Sequence, residues 1–125
     1  MPLPSSPIEW EGSMDSADVV DFEMTLAGTT PLLDTANGEE IASYTLTVMA
    51  EGVALGLQIG SGAYAPTLIE GNTGVRLWLS VDSGSQSDSA FSGAGTELGV
   101  VGKFITNSSP ARTYERTWSV RVFQR

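Results

Sequence analysis

From Asp18 onward, apolar and polar residues alternate with a period of two rather than 3.6. Val20, Phe22, Met24 and Leu26 are interleaved with Asp21, Glu23 and Thr25, the pattern of a strand with one buried face. Gly28 and the following Thr-Thr-Pro break it, and "NGEE" marks a turn, because Asn-Gly tolerates positive φ. A second alternation sets Ala42, Tyr44, Leu46 and Val48 against Ser43, Thr45 and Thr47; a third runs through Val53, Leu55, Leu57 and Ile59 to "GSGAYAP". Thr67 to Glu70 reads as a short edge strand ending at "EGNTG". Val75, Leu77, Leu79 and Val81 then point inward, which leaves Arg76, Trp78 and Ser80 on the outer face. "ELGVVGKFIT" resumes strand character, "NSSPAR" turns the chain, and Tyr114, Trp118, Val120 and Val122 form one face of a closing strand.

About seven short strands with no helical stripe predict an all-β domain, a two-sheet antiparallel immunoglobulin-like sandwich. A small jelly roll or barrel is the competing architecture. Two segments fall outside the alternation. Residues 1–16 hold prolines at positions 2, 4 and 7 and read as an extended N-terminal arm, either frayed or laid on a neighbouring subunit; Ile8 and Trp10 favour the second. Residues 82–96, "DSGSQSDSAFSGAGT", read as a long mobile Gly/Ser loop or a linker within a domain spanning 17–125, with Phe91 as its single large apolar residue and a candidate contact.

With 125 residues, 41% of them hydrophobic, the chain suffices for one core and not two. It contains no cysteine and no histidine, which removes disulfides, Cys/His zinc sites and imidazole-based triads. The fifteen carboxylates sit on polar strand faces or in the arm, where nothing marks a raised pKa, so the expectation is a protein that is not an enzyme. Asp82 and Asp88 do not match a calcium loop, and no metal or other cofactor is expected. Asn107-Ser-Ser, a formal glycosylation acceptor, reads as part of a turn.

The net charge of -9 is unevenly spread: eleven acidic and no basic side chains precede Arg76, whereas four acidic and six basic ones follow from there. An acidic chain is a poor partner for phosphate backbones, so no direct nucleic-acid binding is expected. "MPLPSSPIEW" has no basic n-region or apolar run, and no stretch of membrane-spanning length follows, so the reading is a product made in the cytoplasm with no membrane partner. Four of the six basic residues, Arg112, Arg116, Arg121 and Arg125, fall in the last fourteen. They are either counter-charges to the acidic first strand or a docking edge for an acidic partner. Trp78 is either a sugar-stacking platform or a surface covered by protein.

The ordered series "DVVDFEMTLAG", "EEIASYTLTV", "GVRLWLSV", "GVVGKFIT" and "RTYERTWSVRVFQR" resembles small tailed-bacteriophage virion proteins of the fiber-to-tail adaptor or neck family, which carry an immunoglobulin-like domain. Ile41, Ala42, Ser43, Thr45, Thr47 and Val48 match that family's second-strand motif, and Arg112, Glu115, Arg116, Val120 and Arg121 its last. The chain departs from it in the length of region 82–96 and in Leu46, where such proteins tend to have Trp. The resemblance implies a non-enzymatic virion component, made in the host cytoplasm, present in several symmetry-related copies and bound to other neck, tail or fiber proteins. A capsid decoration or cement protein and an Ig-like carbohydrate-binding or adhesive module are the alternatives. The candidate partner-binding residues are Ile8, Trp10, Trp78, Phe91, Arg112, Arg116, Arg121 and Arg125.

Overall fold

The alternating segments form two facing sheets in the computed structural model, which describes residues 7–26 and 32–124. Strands are numbered along the chain: β1 (Ile8–Glu9), β2 (Met14–Asp15), β3 (Val19–Thr25), β4 (Ile41–Val48), β5 (Leu57–Ile59), β6 (Thr67–Ile69), β7 (Gly74–Val81), β8 (Thr96–Thr106) and β9 (Thr113–Phe123). In the first sheet β8 and β9 pair antiparallel from Thr96 opposite Val122 to Ile105 opposite Thr113. Strand β4 lies antiparallel on the far side of β8, while β1 and β2 run parallel along the outer side of β9. In the second sheet β7 is central, with β3 on one side and both β5 and β6 on the other.

Counting β1 with β2, and β5 with β6, as interrupted single strands leaves seven strand positions. Their order is that of an immunoglobulin-like sandwich, with the first segment parallel to the last strand. The core follows from the period of two. Val75, Leu77, Leu79 and Val81 of β7 face Leu98, Val100 and Phe104 of β8 and Trp118, Val120 and Val122 of β9 in one apolar cluster. Phe104 meets Trp118 edge-on at 6.0 Å between ring centroids. The Phe104 ring also lies over Gly102, where a Cβ would come within 2.6 Å of it, so glycine at this position makes room for the aromatic pair. The "NGEE" turn forms as predicted: Thr35–Asn37 make one turn of 3-10 helix, and Gly38 ends it at φ 78°.

Four expectations change. The third alternation is not one strand: Ala50–Ala54 forms a short helix, α1, and strand geometry begins only at Leu57. The chain crosses between sheets here, Val53 faces solvent at 62% exposure, and Gly56 turns the backbone at φ 85°. In β4, the register shifts between Ile41 and Ser43, so Ile41 enters the core and Ala42 is exposed.

The 82–96 segment, expected to be mobile, folds as two 3-10 turns, Ser83–Ser85 and Ser89–Phe91. Each is opened by an aspartate that accepts a backbone N–H two residues on, Asp82 from Gly84 at 3.2 Å and Asp88 from Ala90 at 2.9 Å. Phe91 is corrected from candidate contact to core residue: it is 0% exposed, and its carbonyl accepts the Gln124 N–H at 2.7 Å. A large apolar side chain in a polar segment closes that segment onto the core instead of offering it to a partner.

Within the arm, residues 7–16 are extended but lie on the chain's own domain. Ile8 pairs with Trp118 and Met14 with Val122, and Met14 is 1% exposed. Residues 1–6 lie outside the described residues.

Candidate interaction surface

Strand β9 is bonded to β8 over nearly its full length, but its other edge is only half covered. Strand β1 takes the positions of Trp118 and Ser119, and β2 those of Val122 and Phe123. Among the described residues, no strand pairs with that edge at Thr113–Thr117.

The arginines divide along the same line. Arg121, on the covered half, lies 3.7 Å from Glu97 of β8 and donates to the Ala94 carbonyl at 3.3 Å. It is an internal counter-charge. Arg112, just before the uncovered half, places Nε 3.4 Å from the Glu39 carboxylate and donates from Nη1 to the Tyr114 hydroxyl at 3.1 Å. That hydroxyl donates in turn to the Leu32 carbonyl at 2.8 Å. Arg116, on the uncovered half, lies 5.7 Å above the Tyr114 ring and donates to the Glu115 carbonyl at 2.9 Å. It makes no ion pair among the described residues. Arg125 lies outside them.

The acidic first strand is not the partner of these arginines. Glu23 of β3 stands directly opposite Arg76 of β7 and meets it at 2.8 Å, with Asp21 at 3.4 Å from the same guanidinium. Strands β3 and β9 belong to different sheets, so the charge that looked complementary in sequence is satisfied within its own sheet. Glu23 holds the Arg76 guanidinium above its ordinary pKa.

Glu39 is the one acidic residue in this region that the fold buries, with 3% of its side chain exposed. The Asp34 backbone N–H, donating at 2.8 Å, lowers its pKa most; the Thr106 and Ser108 hydroxyls and Arg112 act in the same direction, and desolvation opposes them. The Arg112 guanidinium is raised, first by the Tyr114 hydroxyl and then by Glu39. A recess of about 180 Å³, lined by Asp34, Gly38, Asn107 and Ser108, opens beside this pair. The Arg112 side chain remains 51% exposed, so its pairing with Glu39 orients the guanidinium and leaves part of its donor fork to solvent.

The aromatic candidates separate similarly. Trp10 is half-buried: its ring stacks on Phe22 at 4.8 Å and its indole N–H donates to the Glu23 carbonyl at 2.8 Å. Trp10 therefore clamps the N-terminal segment across the sandwich. Ile8 is exposed at 44%. Trp78 stands on the outer face of β7, as predicted, but is half-buried under Tyr64, whose ring centroid is 5.2 Å away. Tyr64, 48% exposed, was not among the sequence candidates. Its signal was present in "GSGAYAP", a turn whose one aromatic is flanked by small residues.

Strand β4 is the other feature that sequence reasoning passed over. It ends the first sheet, and among the described residues no strand pairs with its outer edge, where only the Ile41 N–H is taken, by the Asn72 carbonyl at 2.8 Å. Ser43, Thr45 and Thr47 are exposed on it. Among the described residues there is also no group of three or more acidic side chains placed to hold a metal, and no helix long and apolar enough to cross a membrane. Comparison of the sequence with protein-family models and with curated proteins finds no match, so the surface is read from its own residues.

Proposed function

We propose that the chain is a non-enzymatic structural protein of a tailed-phage particle, an adaptor near the head-tail junction or the fiber attachment site that works through protein-protein contacts. The observation that carries this reading is the position of Arg112 and Arg116 at the half of β9 left without a neighbouring strand. A docking edge of this kind offers backbone N–H and C=O groups for strand addition, and planar guanidinium groups that orient an acidic surface. The phage context rests on the sequence resemblance, the docking mode on the geometry. Purified particles should contain the chain, with its density at the neck or fiber base. Density on the icosahedral shell away from the tail vertex would replace the adaptor by a decoration protein, and absence from the particle would refute both.

The Tyr64–Trp78 pair favours one other reading, an adhesive module that stacks a sugar ring on Tyr64. It predicts glycan-array binding that Tyr64→Ala abolishes. No signal from the wild-type chain would remove it.

A further inference from the structure

From Ala42 to Val48 the outer edge of β4 has no neighbouring strand among the described residues. Edge strands that remain monomeric are protected by charge, proline, shortness or strong bulging. Strand β4 has eight residues, IASYTLTV, with no charge and no proline, and its one register shift lies at the beginning, before Ser43. The flank beside it is largely apolar, with Glu51 of α1 as an exposed charge at its end. Strand β4 and the β5–β6 side of the second sheet lie on the same side of the sandwich, as the Tyr44 hydroxyl donating to the Pro66 carbonyl at 3.2 Å shows. Tyr44, Leu46, Val48, Leu55, Ile59 and Leu68 are only partly buried against the core.

We infer that β4 pairs antiparallel with β4 of a second copy of this chain, about a two-fold axis through Thr45. A two-fold contact must be self-complementary, and this register is: Thr45 meets Thr45, Tyr44 meets Leu46, and Ser43 meets Thr47. Hydroxyl is set against hydroxyl and aromatic against branched aliphatic, both favourable cross-strand pairs. Charge selects the same occupant. Two chains of net charge -9 repel, so like copies meet at least cost where eight consecutive residues carry no charge. A basic partner would be recognised by carboxylates, and β4 presents none. The pairing would join the two first sheets into one continuous sheet and cover the half-buried apolar flank. It is independent of the phage assignment and of the β9 edge.

The test uses Thr45, which is exposed and stands opposite Lys103 on β8. Thr45→Glu places a carboxylate beside Lys103 within one chain but beside a second carboxylate across the axis. Light scattering on the wild-type protein, from micromolar to millimolar, should rise from 13.2 kDa to twice that mass. Thr45→Glu and Thr45→Lys should each weaken the dimer at least tenfold, and an equimolar mixture of the two should restore it. Val19→Glu, the same charge change on the exposed edge strand of the other sheet, should leave the dimer intact. Circular dichroism checks that all variants are folded. A wild-type chain that stays monomeric, a Thr45→Glu dimer of undiminished affinity, a mixture that stays monomeric or a Val19→Glu monomer would each overturn the inference.

Discussion

Replacing Phe91 by alanine distinguishes a loop that is part of the core from one that is merely attached to it. The side chain is fully buried in the same cluster as Leu98, Val120 and Val122, so the substitution removes a ring from packed surroundings and leaves a cavity. Such Phe→Ala changes cost about 3–5 kcal/mol. For 125 residues the entropy of unfolding near the midpoint is about 0.26 kcal/mol per kelvin, so Tm should fall by roughly 11–19 °C. Against a total stability of about 5–15 kcal/mol the variant would be marginal but measurable near room temperature. Differential scanning calorimetry gives the shift directly, with Ser87→Ala, an exposed change in the same segment, as reference. An exposed loop Phe would change stability by less than about 0.5 kcal/mol, or roughly 2 °C. A shift that small would refute the placement of Phe91 and the folded description of residues 82–96.

Two further outcomes follow from contacts made at a distance in sequence. Trp10→Ala removes the stack on Phe22 and the bond to the Glu23 carbonyl, and should cost about 2 kcal/mol in urea unfolding; an unchanged midpoint would mean that the N-terminal segment is not clamped. Glu39 has a folded pKa below its ordinary 4.5, so its carboxylate contributes stability above that value, and the contribution is lost as the pH falls through the folded pKa. Glu39→Gln should therefore be less stable than wild type at neutral pH and lose less on acidification below 4.5. Parallel stability curves for the two proteins would contradict the assignment.

The strands that were legible in the sequence are those with one face in the core and one in water. Along β7, buried Val75, Leu77, Leu79 and Val81 alternate with half-exposed Arg76, Trp78 and Ser80, and the environment matches the letters position by position. The same alternation misleads at residues 53–59. Val53 and Leu55 have strand spacing, yet the chain must pass from one sheet to the other there, and α1 makes the passage. Periodicity records which residues are apolar and not when the chain changes sheets.

The partners of the arginines were hidden for a related reason. Asp21 and Glu23 look like counter-charges for residues 112–125 until the pairing of β3 with β7 assigns them to Arg76. Phe91 carried the right local signals, an aspartate three residues ahead of it and a single large ring in a polar stretch, but composition drew the reading toward a mobile loop. The uncovered edges of β9 and β4 could not be found without the strand order, because an edge is a property of neighbours.

In the proposed function, the uncovered half of β9 docks another particle component. Arg116→Glu tests it most directly, because Arg116 has no acidic partner among the described residues, and its reversal should leave the fold's own ion pairs intact. Particles assembled with this variant, purified and quantified against a structural protein of the shell, should have lost the chain at least tenfold, while its Tm stays within about 2 °C of wild type. Arg121→Gln, on the covered half, should be incorporated normally. Full incorporation of Arg116→Glu would contradict the docking edge.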